Sequence, residues 1–343
     1  MLTLRYYQRE AVDSIWAYFE SGATGNPIVA MPTGTGKSLV IATFVHEALA
    51  RYPRARILVL THVKELVDQN VKALLKQWPG APAGIHSAGL NRRDVLMPVI
   101  YGNVQSARKS KRSFGRVDLL IVDECHLCSD KDDSNYQAII ERLKADNPSL
   151  RVIGFSATHW RMKGGELTNG KIFTDVCYDL TATDAFNRLV AEGYLCPLIP
   201  KATSAELDVS GVKVTAGEFN LKALGETVDQ SDINLAVIRE MLTVASHYKH
   251  WLVFASSISH AEHVNSVLES FGVESATIHS EVSSGECDKR LADFKVGKLR
   301  CIVNNNKLTT GFDFPAIDLI VMPDKPGITI NKCHHNDTVL TLK

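Results

Sequence analysis

The stretch NPIVAMPTGTGKS, Asn26 to Ser38, joins an apolar run, a glycine-rich turn and the start of a helical pattern. Backbone N–H groups of such a turn, added to those at a helix N-terminus, form a cradle for phosphate. There Lys37 can reach the outer phosphates of a nucleotide and Ser38 can bind Mg²⁺. The strict pattern requires glycine at its first position, where this chain has Met31. Because strand, turn and helix agree, we predict a phosphate-binding site lined by Thr33, Gly34, Thr35, Gly36, Lys37 and Ser38.

Short apolar runs alternate with helical patterns after this stretch. The segments RILVLTH, PVIYG, VDLLIVD and RVIGFSAT are almost continuously apolar, as parallel strands buried on both faces are. Between the first two of them, apolar residues recur at helical spacing at Val67, Val71, Leu74 and Leu75. This βαβ order predicts a doubly wound parallel sheet.

The segment LLIVDECH, Leu119 to His126, predicts a buried strand that ends in two carboxylates. Open α/β sheets bind ligands at the carboxyl ends of their strands. Asp123 is therefore expected to hold Mg²⁺ through water, and Glu124 to orient and deprotonate the attacking water. An apolar run that ends in Asp-Glu is a weak signal by itself, and the phosphate-binding turn makes it a strong one.

The same order of elements begins again near Asp229. A helical pattern comes first, followed by the strand-like runs WLVFAS, SATIHS, RCIVNN and IDLIVM, and the apolar face of that helix comprises Ile233, Val237, Ile238, Met241 and Leu242. Glycine and proline interrupt the stretch before it. We therefore predict a nucleotide-binding domain over residues 1–200, a connecting segment over 201–228 and a second α/β domain over 229–343.

Composition excludes several classes of protein. The chain has 38 lysines and arginines and 38 aspartates and glutamates, so its net charge is zero and gives no indication of nucleic-acid binding. A local basic groove is compatible with this balance. Seven dispersed cysteines argue against a disulfide framework. The first residues contain no apolar signal-peptide core and no apolar run is long enough to span a bilayer, which predicts a cytoplasmic protein.

Two cysteine-containing segments have to be weighed as metal sites. Cys125 and Cys128 have the spacing of metal ligands, but no second CxxC pair follows and the first of them already belongs to the DECH segment. The CHH segment, Cys333 to His335, has adjacent ligands that suit a tetrahedral site poorly. We therefore expect no structural zinc.

The phosphate-binding turn and DECH together resemble superfamily 2 helicases of the DEAD/DEAH-box type. LRYYQREAV resembles the adenine-reading motif, which implies Gln8 as the reader with Arg5 beside it; a polar residue on an amphipathic helix is the alternative. THVKELVDQN and GNVQSA resemble motifs that contact a nucleic-acid strand, and SAT resembles the segment that couples hydrolysis to domain movement. The residues that these likenesses imply as strand-contacting or coupling residues are Gln105, Ser106, His126, Ser156 and Thr158.

The second half continues the resemblance in the family's order. WLVFASSISHAEHV is similar to the fourth motif and LTTGFDFP to the fifth. The fifth motif implies that Thr309 and Thr310 face the nucleic-acid backbone and that Gly311 and Asp313 approach the nucleotide; a glycine turn between strands is the alternative. The variant closest in pattern is the RadD-like and phage-type group. The resemblance implies two RecA-like domains with parallel doubly wound sheets, the second incomplete.

The chain departs from the family in two places. His159 and Trp160 follow SAT where the family usually has proline, so that turn lacks a proline. Beyond IDLIVM the family continues into a helix with Gln, Gly and two Arg, whose guanidinium reaches the γ-phosphate. This chain instead has a divergent segment over residues 323–343, with no arginine beyond Arg300. We therefore expect a chain truncated before its arginine finger, which a partner protein could supply in trans.

These features predict an ATP-dependent helicase or translocase with ATP and Mg²⁺ as cofactors and DNA favoured over RNA as the substrate. One alternative is a degenerate helicase that clamps ATP and DNA with little hydrolysis. A second is the same activity on RNA, and a third is a small-molecule kinase with a phosphate-binding loop, which the ordered motifs of the second half disfavour.

Overall fold

A computed structural model describes residues 2–111, 113–128, 135–161, 165–195, 214–215, 218–219, 231–308, 312, 314, 316–322 and 329–332. The chain divides into two compact units, Met1–Glu192 and Gly193–Lys343, each with its own main sheet.

Among its described residues, the first unit contains ten strands and six α-helices. The strands are β1 (Pro27–Ala30), β2 (Ile57–Thr61), β3 (Ala83–Ser87), β4 (Arg92–Arg93), β5 (Val99–Asn103), β6 (Leu119–Asp123), β7 (Arg151–Ser156), β8 (Trp160–Arg161), β9 (Gly165–Glu166) and β10 (Asp175–Asp179). The helices are α1 (Tyr6–Glu20), α2 (Lys37–Arg51), α3 (Lys64–Gln77), α4 (Val104–Arg108), α5 (Asn135–Asp146) and α6 (Thr183–Ala191).

Eight of these strands form one sheet in the order β10-β1-β7-β6-β2-β5-β3-β4. All neighbouring pairs are parallel except β3 with β4, and β8 pairs with β9 in a separate antiparallel ribbon. The predicted strands β1, β2, β5, β6 and β7 are confirmed, and three of them, β1, β2 and β6, are buried along their whole length. The alternation of strands and helices therefore produces the predicted doubly wound architecture.

Pattern reasoning missed two parallel strands. β10 lies at the sheet edge and is partly exposed, and β3 is short and contains glycine and histidine, so neither shows a continuous apolar run. The helix predicted between β2 and β5 is confirmed as α3, on which Val67, Val71 and Leu74 are buried. Leu75 is 40% exposed, because it follows Leu74 by one residue and the helical rotation turns it away from the sheet.

The second unit contains seven strands and three helices among the described residues. A short antiparallel pair, β11 (Val214–Thr215) and β12 (Glu218–Phe219), precedes the main sheet. The main-sheet strands are β13 (Trp251–Phe254), β14 (Ser275–Ile278), β15 (Cys301–Asn304), β16 (Leu319–Met322) and β17 (Thr329–Lys332). The helices are α7 (Ser231–Val244), α8 (Ile258–Ser270) and α9 (Ser284–Lys295).

This second sheet has the order β14-β15-β13-β16-β17 and separates two apolar layers. Alternate residues of β13 enter different layers, because successive side chains of a strand point to opposite faces. Trp251 and Val253 pack with Ile238 and Met241 of α7. Leu252 packs on the other face with Phe294 of α9. The helix and the four strands predicted for this unit are thus confirmed.

The last described strand corrects one expectation. The divergent tail suggested that the IDLIVM strand lacks cover at its edge. In the structure β17 pairs antiparallel with β16, with Leu319 opposite Lys332 and Met322 opposite Thr329. The backbone of β16 is therefore paired on both sides, with β13 and with β17. Nearly all of the connecting segment predicted over 201–228 lies outside the described residues.

None of the helices that the structure describes has both the length and the apolar character needed to cross a bilayer. Likewise, the described part of the chain contains no group of three or more His, Cys, Asp or Glu side chains that could hold a metal ion. Cys125 and Cys128 are both buried.

Candidate functional site

The strand order of the first unit brings the predicted motifs to one edge of the sheet. β7 lies between β1 and β6, so the carboxyl ends of these three parallel strands are side by side. The phosphate-binding turn leaves β1, the DECH segment ends β6 and the SAT segment ends β7. A backbone hydrogen bond from Met31 N to Ser156 O, 2.9 Å long, joins the turn directly to the SAT strand.

The turn between β1 and α2 has the backbone of an anion cradle. Gly34 and Gly36 have φ values of 85° and 82°, a region that favours glycine. α2 begins at Lys37, so the free N–H groups of its first turn point toward the turn. Thr35 closes the loop by donating its hydroxyl to Pro32 O at 2.6 Å. A phosphate group would find backbone donors and a helix N-terminus together here.

Gln8 connects the first helix to this turn. Its Nε2 donates to Thr35 O at 2.8 Å, its Oε1 accepts from Arg5 N at 2.9 Å, and the side chain is 4% exposed. Arg5 also donates from Nη1 to the Tyr7 hydroxyl at 3.0 Å. The structure therefore places Gln8 against the phosphate loop and Arg5 against Gln8, and adenine reading itself stays a prediction.

Replacing Gly36 with alanine should lower nucleotide affinity by about tenfold, since a left-handed backbone costs L-residues about 1–2 kcal/mol. The added Cβ would also lie 2.5 Å from Gln8 Nε2 and push the glutamine away from Thr35. Gly22→Ala is the matched control, because Gly22 has a φ of 84° and open space around it. Titration with a fluorescent ATP analogue measures the effect. Equal affinities of the two variants would contradict the assigned cradle.

The Lys37 ammonium lies between the turn and the DECH carboxylates. Its Nζ donates to Met31 O at 3.3 Å and lies 3.8 Å from Glu124 Oε1. Both side chains are more than four-fifths buried. The pair places a cation and a carboxylate together at the sheet edge, beside the turn that would hold a phosphoryl group.

Asp123 is a buried carboxylate with few donors. Its Oδ1 accepts from Glu124 N at 3.0 Å and its Oδ2 accepts from Asn70 Nδ2 at 2.9 Å. Burial raises the pKa of Asp123 to about 6, aided by the Glu124 charge, although Lys37 and Asn70 act to lower it. A divalent cation would stabilise such a carboxylate. With the hydroxyl of Ser38, the second residue of α2, this oxygen-donor set suits Mg²⁺.

The histidine of DECH is bonded to the SAT segment. His126 Nδ1 lies 2.9 Å from Ser156 Oγ and 3.1 Å from Glu124 Oε2. Thr158 N in turn donates to Ser156 Oγ at 3.2 Å. Glu124 has a φ of 54°, a left-handed conformation that is uncommon outside glycine and is found at functional sites. The three predicted coupling residues are thus joined by hydrogen bonds through Ser156 Oγ, and His126 also contacts the Glu124 carboxylate.

His159 occupies the position where the family usually has proline. Its Nδ1 lies 3.4 Å from Thr181 Oγ1 and 3.7 Å from Asp179 Oδ2, while its Nε2 lies 3.6 Å from Glu166 Oε2. Polar contacts to β9 and to the end of β10 therefore surround the side chain at this turn.

Gln105 and Ser106 line a separate cavity of about 750 Å³ at the ends of β2, β3 and β5. Asn103 caps α4 by accepting from both of their N–H groups, and it donates to His62 O at 2.6 Å. Ser106 Oγ accepts from Ala88 N at 2.9 Å. Four basic side chains line the cavity beside these polar groups, namely Lys64, Arg93, Lys109 and Lys111.

Sequence reasoning missed several of these residues, and some of the residues that it predicted lie outside the part of the chain that the structure describes. Asn70, Asn103 and the four cavity cations were not predicted as site residues, although Lys64 and Asn70 lie inside the THVKELVDQN segment and Asn103 lies inside GNVQSA. The predicted residues Thr309, Thr310, Gly311 and Asp313 lie outside the described residues.

Comparison with known proteins agrees with this arrangement. The family profile "Type III restriction enzyme, res subunit" matches residues 1–161, and "Helicase conserved C-terminal domain" matches residues 233–337. The Saccharomyces cerevisiae protein "Putative ATP-dependent helicase IRC3" is 26% identical over 330 residues, covering 93% of this chain and 46% of the relative. The chain spans about half the length of the curated relatives it matches.

Two solved structures are similar in fold. The ATP-dependent Type ISP restriction-modification enzyme LlaBIII bound to DNA aligns with a TM-score of 0.65 at 14% identity, covering 99% of this chain and 27% of that one. Saccharomyces cerevisiae Dbp5 bound to RNA and ADP BeF3 aligns with a TM-score of 0.52 at 15% identity, covering 94% of this chain and 79% of that one. Both likenesses identify the two sheets as RecA-like. The restriction-enzyme profile matches the first unit, the helicase profile matches the second, and the motif residues of the first unit lie at one sheet edge. The chain therefore belongs to the superfamily 2 helicases.

Proposed function

We propose that this protein is an ATP-dependent DNA helicase or translocase, which couples ATP hydrolysis to movement on nucleic acid. The observation that carries the proposal is the approach of Lys37 to Glu124, 3.8 Å apart on neighbouring motifs at one sheet edge. A phosphate-binding cation and a water-activating carboxylate are two of the groups that promote hydrolysis of a phosphoanhydride.

Each residue of the nucleotide site has a proposed task. Lys37 binds the outer phosphates, and Ser38 and Asp123 would hold Mg²⁺. When bound, that ion neutralises charge on the phosphate oxygens. Glu124 orients the attacking water and accepts its proton. The bond between His126 and Ser156 would transmit the state of this site to the SAT segment.

The cavity lined by Gln105 and Ser106 is the proposed path of a nucleic-acid strand. Backbone phosphates are bound mainly by basic side chains and by hydroxyl, amide and N–H donors, all of which are present there. DNA is favoured because the first unit matches a restriction-enzyme family and because LlaBIII is bound to DNA. RNA is the alternative, since Dbp5 is bound to RNA.

A clamp that binds ATP and DNA with little hydrolysis is the second candidate. It is favoured by the two last arginines of the chain, which are both engaged in structural contacts. Arg290 donates to Thr277 O at 2.7 Å and pairs with Glu286. Arg300 donates to the carbonyl oxygens of residues 245, 246 and 248 and stacks on Trp251 at 4.1 Å. A partner protein could supply the arginine in trans.

The division into domains 1–200 and 229–343 and a cytoplasmic location remain proposals.

ATP turnover with and without single-stranded DNA or RNA tests the proposal. Strong stimulation by DNA supports a motor, and stronger stimulation by RNA would assign RNA as the substrate. Binding of both ligands with feeble turnover supports a clamp. ATP turnover that does not change when nucleic acid is added would overturn both the motor and the clamp and would indicate a small-molecule kinase.

Binding to single strands should weaken with salt and vary little with sequence. If the four cavity cations each neutralise one phosphate, log K should fall against log salt with a slope of about −3, at about −0.7 per phosphate. Lys109→Ala should make this slope shallower by about 0.7. Lys72→Ala is the control, because Lys72 is exposed on α3 and paired with Asp68. Fluorescence anisotropy at several salt concentrations provides the slopes. Equal slopes for Lys109→Ala and wild type would place the strand elsewhere.

A further inference from the structure

Asn70 is a buried amide that no motif assigned to the site. It lies on α3, it is 1% exposed, and its Nδ2 donates to Asp123 Oδ2 at 2.9 Å. Among the described residues it is the only side chain that donates a hydrogen bond to Asp123. The orientation of that carboxylate therefore depends on where α3 holds the amide.

The other end of Asn70 is not satisfied. Asn70 Oδ1 is buried and has no hydrogen-bond partner among the described residues. An unpaired buried acceptor costs free energy, and an apolar side chain at this position would avoid that cost. Such a side chain would leave Asp123 Oδ2 without its donor. The hydrogen bond that Asn70 donates to Asp123, rather than packing alone, therefore accounts for an amide at this position.

α3 also reaches the cavity assigned above to the nucleic-acid strand. The helix begins at Lys64, and residues 62–65 all line that cavity. Asn103, the cap of α4, donates to His62 O just before the helix and so joins both walls of the cavity. Asn70 follows Lys64 by six residues, or roughly 9 Å along the helix axis. One continuous helix therefore touches the cavity at its first turn and Asp123 through its second turn.

We propose that Asn70 is a positioning residue through which occupancy of the nucleic-acid cavity is transmitted to Asp123. A strand held by the first turn of α3 would shift the helix, and the bond from Asn70 would carry that shift to the carboxylate. The strength of a hydrogen bond depends steeply on distance and angle, so a displacement of α3 by about a few tenths of an ångström is sufficient to weaken or strengthen the bond to Asp123. This route is separate from the bond between His126 and Ser156. It rests on the proposed function.

The test compares two buried amides on one helix. Asn70→Leu removes the donor and fills the space. Gln77→Leu is the matched control, because Gln77 is 4% exposed on α3 and bonds to Leu2 and Thr43, away from the site. A fluorescent ATP analogue with Mg²⁺ is titrated into each protein with and without saturating single-stranded DNA. The ratio of the two affinities is the coupling factor, and coupling factors of about 5 to 150 are typical of linked sites.

For Asn70→Leu we expect the coupling factor to fall at least fivefold toward one, a higher Mg²⁺ requirement for nucleotide binding, and unchanged DNA affinity without nucleotide. Gln77→Leu should keep the wild-type coupling factor even if it lowers the melting temperature. Wild-type coupling in Asn70→Leu, an equal loss in Gln77→Leu, or a wild-type protein that binds both ligands without coupling would each overturn the inference. Should Asn70→Leu not fold, Asn70→Ala is measured by the same criteria. A wild-type protein that binds neither ligand would overturn the proposed function itself.

Discussion

Lys37→Ala should abolish measurable ATP binding while leaving the protein folded. The ammonium is the one mobile cation of the phosphate loop, and hydrogen bonds to charged groups contribute about 1.5–3 kcal/mol each. Loss of two such bonds, one to each outer phosphate, corresponds to about 3–6 kcal/mol, or roughly a 10²- to 10⁴-fold loss of affinity. The fold should survive because the substitution removes a buried charge that donates one hydrogen bond, to Met31 O, and forms one ion pair, with Glu124, among the described residues.

The measurement is titration of a fluorescent ATP analogue into Lys37→Ala and into Lys72→Ala. Lys72 lies on the exposed side of α3 and is paired with Asp68, so its loss controls for the removal of one positive charge. Circular dichroism confirms that both variants are folded. Unchanged affinity in Lys37→Ala would refute the assignment of the turn as the phosphate site.

A protein of these 343 residues should bind ATP yet hydrolyse it slowly. An arginine directed at the transferring phosphoryl group contributes about 10³- to 10⁵-fold in turnover. No arginine follows Arg300, and both Arg290 and Arg300 are engaged within the second unit. Lys325 and Lys332, which follow the IDLIVM segment in the sequence, are poor substitutes, because an ammonium lacks the planar two-pronged fork of a guanidinium.

The test replaces the segment after Gly327 with a helix of the family type that carries Gln, Gly and two Arg. We expect DNA-stimulated turnover to rise by several orders of magnitude. The same helix with alanine at both arginine positions controls for the effect of the added helix on stability. If the unaltered chain already turns over ATP at a rate that the grafted helix does not improve, an arginine elsewhere fills the role, and Arg290→Ala and Arg300→Ala would identify it.

The fold was predictable where the local signal is strong. β1, β2, β5, β6 and β7 are buried central strands or lie close to the centre of the sheet, so each reads as a continuous apolar run. β10 at the sheet edge is partly exposed and has no such run. β17 pairs with β16 in a segment that matched no pattern we used, because backbone hydrogen bonds place few demands on side-chain type.

The candidate site shows the same division. Thr33 to Ser38 are contiguous, and their function depends on local backbone geometry, which glycines and a helix N-terminus specify by themselves. The partners of Asp123 and Gln8 are 53 and 27 residues away in sequence, and no spacing rule connects them. Helical spacing by itself also does not specify which residues are buried. Leu74 and Leu75 are adjacent on α3, yet the first is buried and the second is exposed, because one residue of helical rotation separates them.

The sequence by itself determined the α/β class, the two sheets, the phosphate-binding turn and the DECH carboxylates, because these follow from contiguous residues. Only the tertiary structure decided that β7 lies between β1 and β6, that His126 bonds to Ser156, and that Asn70 donates a hydrogen bond to Asp123. Each of these depends on which strand ends become neighbours. Strand order results from the packing of whole helices against both faces of the sheet, and contacts between residues distant in sequence therefore appear only when the chain is folded.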